Sequence, residues 1–432
     1  MDGLNLLRTW NTAMTEQVPS TFKIITASLL VAGTCIGGGM LALPVTAAPG
    51  GLLPTICSML VIWLMMTTTA CVLIELGFWM KKPNAHIITM ASTILGKWGA
   101  ALTWILFLFI SYASLIAYTA GCGHFFSSAL TYFHIAISPN TGCWLFILTF
   151  GLFLFGSKYV LGKTNDLLFL LMITAYILLI WHGLDDVTPV LFLRRNWHKA
   201  HLAIPLLVTA FSFQTMVPSL HPFLNHHRRS LRKAVLLGTI FALSIYMLWM
   251  FVILGTIPLE GKWGLEEALH RGEPATHALI QITKSPIIAH TAAFFALFAL
   301  ITSFFGMGMG LFDFLSDGLK IAKKGKGNIL LGILVLLPSL LFAVSYERVF
   351  ITALDLSGGF GDTILNGALP IIMFWVGSRR FLHTSKRNKH LLRIGATILL
   401  CLYLLIFAFE AKLRLFSTKE EASIEHFEFS IP

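Results

Sequence analysis

The stretch Gly33-Thr34-Cys35-Ile36-Gly37-Gly38-Gly39-Met40-Leu41-Ala42-Leu43-Pro44 lies in the middle of a long apolar run. Each of its four glycines costs a helix about 1 kcal/mol relative to alanine, so the run is predicted to break here. In an apolar medium, backbone groups freed by a break need another partner. The freed N–H groups begin one half-helix and the freed C=O groups end the other. Together they suit an amino-acid zwitterion, whose carboxylate is drawn to a helix N-terminus and whose ammonium donates to carbonyls. The glycines also admit a plainer reading, close helix packing through the Gly33-x-x-x-Gly37 pair. A second stretch, Phe211-Ser212-Phe213-Gln214-Thr215-Met216-Val217-Pro218-Ser219, decides between them. Polar residues and a proline interrupt another apolar run there, at the matching place in the second half of the chain. Discontinuous helices at corresponding positions point to inverted repeats around a binding site at the midplane of a bilayer. Neither stretch contains a charged side chain.

Ionisable residues inside apolar runs are the other candidates for chemistry: Glu75, His290, Asp313, Asp317 and Asp362. Glu75, Asp313 and Asp317 fall within about two helical turns of the end of a run. An interfacial carboxylate paired with Lys81 or Lys320 accounts for them as well as proton carriage does. Asp362 is deeper, in Ser357-Gly358-Gly359-Phe360-Gly361-Asp362, and is the better candidate for carrying a proton or working a gate. Enzyme chemistry finds no footing, since H-E-x-x-H and G-x-S-x-G are absent. The segment from Gly156 to Thr164 has five residues between its glycines, where a phosphate-binding loop has four. His226-His227 stand beside Arg228-Arg229 without a third ligand nearby, which fits a basic loop better than a metal site. Cys35, Cys57, Cys71, Cys122, Cys143 and Cys401 all lie in apolar runs without a C-x-x-C pair, so neither a disulfide framework nor zinc is expected. No metal or cofactor is expected. A channel is the more serious rival, because broken helices and glycine-rich segments also line pores.

The elements that must position these residues are membrane helices. Of 432 residues, 56% are hydrophobic and 12% charged, with a mean hydropathy of +0.79, whereas a soluble protein carries roughly a quarter charged residues. A water-soluble fold is thereby excluded. Runs of spanning length are read at 24–47, 52–79, 100–120, 143–155 and 167–182 in the first half. The second half repeats them at 202–224, 234–257, 287–315, 329–346 and 356–376, with one further run at 391–409. The expectation is an all-α integral membrane protein of about eleven spans, with the fourth short for a bilayer core of about 30 Å. The net charge of +11 would suggest nucleic acid in a soluble chain. Here Lys and Arg gather at the ends of apolar runs, as in proteins oriented in a bilayer, and no nucleic-acid partner is expected. Alternate segments, from Arg8 and Lys23 to the cluster between Arg379 and Arg393, hold roughly two-thirds of the Lys and Arg residues, which puts the N-terminus in the cytoplasm and the C-terminus outside. The longest outer loop, 259–285, has apolar residues at helical spacing and is expected to form a lid. A signal peptide over the first run is rejected, because the run is too long, is interrupted by glycines and is followed at once by another.

At these residues the chain resembles the bacterial tyrosine and tryptophan permeases of the hydroxy and aromatic amino acid permease family. Three blocks carry the resemblance: Gly33 to Pro44, Phe211 to Pro218, and Thr302-Ser303-Phe304-Phe305-Gly306 through Gly310-Leu311-Phe312-Asp313 with Asp317. It extends from about Phe22 to the last run. The resemblance implies a leucine-transporter-like 5+5 inverted repeat plus one C-terminal helix, in the bacterial inner membrane. It also implies symport of an aromatic amino acid, tyrosine or tryptophan, driven by protons. On that division, 1–22 is a cytoplasmic tail, 23–183 and 202–377 are the repeats and 184–201 is an outer loop. A basic inner loop over 378–390, the eleventh helix over 391–410 and an outer tail over 411–432 complete it.

The carboxylate is expected on the backbone of Ile36, Gly37, Gly38 and Gly39, with the Tyr118 hydroxyl as a second donor. Tyr112 and Tyr118 both match the family pattern. The ammonium is expected near the carbonyls of Ala32, Gly33 and Phe211. Phe211, Phe213, Gln214, Met216 and Phe304 are candidates for the aromatic ring, although with 35 Phe in the chain most pack between helices or face lipid. Thr34 and Ser212, within the two broken stretches, complete the candidate lining. Members of the family carry Gly-Phe-His-Gly-Ser where this chain has Ser212-Phe213-Gln214-Thr215-Met216. The change of His to Gln removes a titratable group and leaves Gln214 to bond an indole N–H or a phenol. For coupling, Asp362 leads, with Glu75 and Asp313 behind it. Thr302 and Ser303 stand where sodium-coupled relatives of the wider fold supply hydroxyl ligands, which keeps a sodium-coupled transporter of another neutral amino acid as the alternative.

Overall fold

The computed structural model describes residues 18–80, 85–132, 134–155, 158–346, 348–382 and 386–428. Residues 1–17, most of the expected N-terminal tail, lie outside that set, as do Lys81, Lys82, Gly156 and Ser157.

Every element among the described residues is helical, as the bilayer requires of an open chain whose backbone groups must bond within their own segment. The first half comprises α1 (Thr21–Cys35), α2 (Gly38–Ala47), α3 (Leu52–Trp79), α4 (Ile87–Tyr132), α5 (Pro139–Thr149) and α6 (Lys158–Gly183). The second half begins with α7 (Ile204–Ala210), α8 (Val217–Phe223) and α9 (Arg228–Thr256), followed by two short helices, α10 (Leu265–Arg271) and α11 (Ala275–Ile282), in the loop expected to form a lid. Then come α12 (Pro286–Leu319), α13 (Gly325–Ser345), α14 (Val349–Leu356), a π-helical segment (Ser357–Ala368), α15 (Leu369–Phe381) and α16 (Lys386–Glu428). Starts follow local chemistry. Ser20, Ser138, His227 and Ser285 each accept a backbone N–H at the head of the helix they cap, and Pro139 and Pro286 occupy first-turn positions that need no N–H donor.

Among the described residues, nine helices are long and apolar enough to cross a membrane, and the bent pair α1–α2 makes ten. The expected fourth span is the shorter apolar stretch Pro139–Phe155, so the expected total of eleven rests on a segment below the usual spanning length.

Two helix pairs recur between the halves. α1 lies along α9, and its counterpart α7 lies along α3. α6 lies along α12, and the counterpart of α6, the helix formed by α14 and the π-segment, lies along α4. Exchanging the two halves maps these two pairs onto one another, as an internal two-fold repeat requires. α16 stands outside the two repeated halves and lies against the π-segment and α15. The end bearing Arg228, Arg232 and Lys323 is called the basic end below, and the opposite end, which carries α10 and α11, the lid end.

Candidate functional site

The two breaks predicted from sequence are present and face each other. α1 stops at Cys35, Ile36 is extended and α2 starts at Gly38, with a bend of 53° between the halves. Gly38 and Gly39 form the first turn of α2, where amides have no acceptor within the helix. The conformation of Gly37, with φ near −170°, is open to any residue, so its need for glycine is steric. A Cβ on Gly37 would overlap Ser303 Oγ, and one on Gly38 would overlap the ring of Tyr118. Gly39 lies over Ala210 at the end of α7, 3.6 Å from a built Cβ to Ala210 Cα, and Gly33 faces the ring of Phe169. Close packing, expected as the rival of a broken helix, thus accompanies the break, with side chains against Gly33, Gly37 and Gly38 and backbone against Gly39.

The second break runs from Phe211 to Phe213, followed by a 3₁₀ turn over Gln214–Met216. A residue that sequence reasoning missed joins the two breaks. The Tyr246 hydroxyl, on α9, donates toward Cys35 O at 2.5 Å and Ala210 O at 2.9 Å, the last carbonyls of α1 and α7. Trp249, one turn further along α9, donates from Nε1 to Met40 O at 2.9 Å. The only signal in the sequence is a tyrosine and a tryptophan within an otherwise apolar span. The carbonyls expected to meet an ammonium are partly engaged, since Ala32 O accepts from Ile36 N at 2.9 Å and Phe211 O from Phe213 N at 3.2 Å. A carbonyl has two lone pairs, so each retains room for a second donor.

Around these breaks the structure gathers some expected residues and commits others elsewhere. Tyr118 is buried beside Gly38. Thr34 donates to Met216 Sδ at 3.0 Å, bridging α1 to the second break. Gln214 is fully buried. Its Nε2 donates to Met66 O at 3.0 Å, and its Oε1 has no protein partner among the described residues, so it offers an acceptor. Phe211 and Phe213 are fully buried, Phe211 with its ring edge-on to Tyr246 at 5.1 Å. Phe304 packs edge-on to Phe146 at 4.8 Å, within an aromatic cluster that includes Phe150 and Phe305. The Tyr112 hydroxyl bonds Leu334 O at 2.8 Å, which fastens α4 to α13. Thr302 turns its hydroxyl to Phe298 O and Ala299 O of its own helix.

Of the ionisable candidates, Asp362 is the one tied to a break. It is 1% exposed and sits in the π-segment, whose wide turns often mark functional sites. Its Oδ1 accepts from Ser212 Oγ and, at 2.7 Å, from Asn366 Nδ2; its Oδ2 accepts from Ser357 Oγ at 3.1 Å. Asn366 Nδ2 also donates to Ser212 Oγ at 2.6 Å. The donors are all neutral, so the carboxyl group is held by dipoles without an ion-pair partner. Ser357 stands five residues before Asp362, adjacent to it only because the helix is π rather than α. Asn366 was not expected.

The remaining carboxylates belong to the basic end, with partners that differ from those expected. Glu75 pairs with Arg232 at 2.7 Å and Arg228 at 3.4 Å; the expected partner Lys81 lies outside the described residues. Asp313 and Asp317 face Lys323, at 2.9 and 4.0 Å, in place of Lys320. The helix-ending turn explains this, because Lys320 takes a left-handed conformation that closes α12 and leads the chain back to bring Lys323 across. His290 is exposed near the start of α12, its Nδ1 against Pro286 O.

A model of the tryptophan/tyrosine permease family matches residues 20–410 of this chain. The chain is 31% identical over 362 residues to a protein named tyrosine-specific transport system 1 of Haemophilus influenzae, covering 83% of this chain and 89% of that one. It is 26% identical to a tryptophan-specific transport protein of the same organism, covering 84% and 90% of the two chains. Its fold is similar to that of MhsT, crystallised in complex with L-phenylalanine, with a TM-score of 0.55 at 15% identity over 90% of this chain and 99% of that one.

Proposed function

Because the chain belongs to the tryptophan/tyrosine permease family, we propose that it imports tyrosine, tryptophan or both across the bacterial inner membrane by proton symport. The observation that carries this reading is the link from one break to a buried acid: Ser212, within the second break, is bonded to Asp362 and Asn366. The substrate carboxylate is assigned to the amides of Ile36, Gly37, Gly38 and Gly39 with the Tyr118 hydroxyl beside them, and the ammonium to the remaining lone pairs of the Ala32, Gly33 and Phe211 carbonyls. The ring lies toward Phe211, Phe213, Met216 and Gln214, with Gln214 Oε1 accepting from the phenol or the indole N–H. Thr34 and Ser212 border the site, while Phe304 backs it from the aromatic cluster and Tyr112 supports α4.

Coupling follows from the Ser212 bond. A proton on Asp362 changes which of its oxygens can accept, and Ser212 and Asn366 must rearrange with it. That rearrangement alters the shape of the second break at the substrate, so proton occupancy and substrate occupancy favour the same conformation. Glu75 and Asp313 are assigned to ion pairs that steady the basic end, which faces the cytoplasm in this reading. Sodium at Thr302 and Ser303 is the alternative carrier.

The test is uptake of labelled tyrosine and tryptophan into proteoliposomes under a pH gradient, a sodium gradient or neither. Accumulation driven by the pH gradient, with each amino acid competing against the other, is the expected result. Asp362→Asn is expected to keep exchange of substrate for substrate and to lose gradient-driven accumulation. Accumulation that requires sodium would move coupling to Thr302 and Ser303. Equilibration without concentration would identify a channel.

A further inference from the structure

We propose that α16, outside the repeated core, is a working part of the coupling site, with Tyr403 and Glu410 as positioning residues that hold the π-segment so that Asp362 meets Ser212. The inference rests on the proton-coupled reading above. α16 is the most outward-facing of the long apolar helices: 17% of its apolar window is buried, against 72% for the Val349–Phe381 span that it covers. Its buried residues among those described are Ala396, Tyr403 and Glu410, spaced by seven and therefore on one face. A helix held by packing alone would fill such a stripe with small or aliphatic side chains. Here two of the three places hold a hydroxyl, 0% exposed, and a carboxylate, 3% exposed, groups that are costly to bury in a bilayer.

Their contacts form an antiparallel ladder along the π-segment. Arg414 donates from Nη2 to Asp355 Oδ2 at 3.0 Å, just before the segment, and from Nε to Glu410 Oε1 at 2.9 Å. Glu410 lies directly on Gly359, with its Cγ 2.6 Å from where a Cβ would stand. Phe407 meets Phe360 edge-on at 5.3 Å. Tyr403 covers Gly367 so closely that a Cβ there would overlap its ring. The two glycines thus admit the two polar side chains on either side of Asp362. The Tyr403 hydroxyl continues to Thr69 Oγ1 at 2.7 Å and Met66 Sδ at 3.4 Å, and the carbonyl of Met66 is the acceptor that orients Gln214. One face of α16 therefore packs on the segment that bears Asp362 and ties it to α3.

The test compares pH-gradient-driven accumulation with tyrosine counterflow in proteoliposomes holding the full chain, for Tyr403→Phe and Glu410→Gln, with Leu405→Ala on the exposed face as control. Deuterium uptake over residues 357–368 is measured on the same preparations. Accumulation should fall about tenfold in the first two variants, on the scale of one buried hydrogen bond, while counterflow stays within about twofold because no substrate contact is altered. Deuterium uptake over 357–368 should rise in both, and the control should match the parent in all three readouts. If a variant does not purify as a monodisperse protein, Thr69→Val removes the partner of the Tyr403 hydroxyl from the other side. A parallel loss of accumulation and counterflow, or no change in either, overturns the proposal. If the parent protein accumulates neither aromatic amino acid, the transport reading fails, and the brace is judged on exchange alone, where unchanged uptake over 357–368 overturns it.

Discussion

The glycines of the first break are required by their neighbours. Gly37 gives its Cβ space to Ser303 and Gly38 to Tyr118, so the backbone approaches two hydroxyl-bearing residues without a side chain between. Gly38→Leu is expected to displace Tyr118 and raise the apparent KM for tyrosine at least about tenfold, on the scale of overpacking a tight site; saturable uptake kinetics measure it. Uptake with unchanged affinity would show that the carboxylate binds elsewhere. Gln214 makes a second residue-level prediction. With Nε2 committed to Met66 O, its free Oε1 rewards a ring that donates and leaves a buried acceptor unpaired for one that does not. Competition assays should therefore rank tyrosine or tryptophan above phenylalanine by roughly tenfold or more, and Gln214→Leu should abolish the difference.

At the scale of the element, the unit that matters is the interrupted helix and what replaces its missing bonds. The Tyr246 hydroxyl serves the terminal carbonyls of α1 and α7 together, so the two half-helices share one donor and are expected to move as a pair. Tyr246→Phe leaves two buried acceptors without it, at about 1–3 kcal/mol for an unsatisfied group. A lower midpoint of thermal unfolding in detergent and weaker tyrosine binding by calorimetry are the expected outcomes. The π-segment makes the complementary point. Its five-residue return puts Ser357 Oγ on Asp362 and Thr363 Oγ1 on Gly358 O at 2.6 Å, so reverting it to α would separate Ser357 from the carboxylate it holds.

For the molecule as a whole, the proposed import, which closes one end as it opens the other, calls for movable covers. At the lid end, α10 and α11 lie over α2, the half-helix that begins at Gly38. Between them, Glu273 Oε2 bonds His277 Nδ1 at 2.8 Å. Burial pushes the Glu273 carboxyl up, but the His277 hydrogen bond and the electrostatic influence of His277, His124 and Arg271 outweigh it and hold the group below its usual range. A carboxyl group depressed in the folded state contributes stability above its ordinary value of 4.5 and loses it as pH falls further, through the folded value. The difference in deuterium uptake over residues 265–282 between Glu273→Gln and the parent, corrected for intrinsic exchange, should be present near about pH 7 and vanish in acid. A difference independent of pH would exclude this ion pair as the fastening of the lid. Composition, the periodicity of the apolar runs, the two glycine and polar interruptions and the basic loops are local properties of the chain. They sufficed for a helical membrane protein and for where two helices break, while the family followed from the resemblance of three residue blocks. What the breaks are bonded to depends on residues far apart in sequence: Ser212 and Asp362 are 150 positions apart, and Tyr246 and Cys35 are 211 apart. The partners of Glu75 and Asp313, the commitment of Tyr112 to Leu334 and the ladder of α16 on the π-segment arise in the same way. Each is decided by which helices lie side by side, and in a chain whose helices are nearly all apolar, hydrophobic patterning alone does not distinguish one neighbour from another.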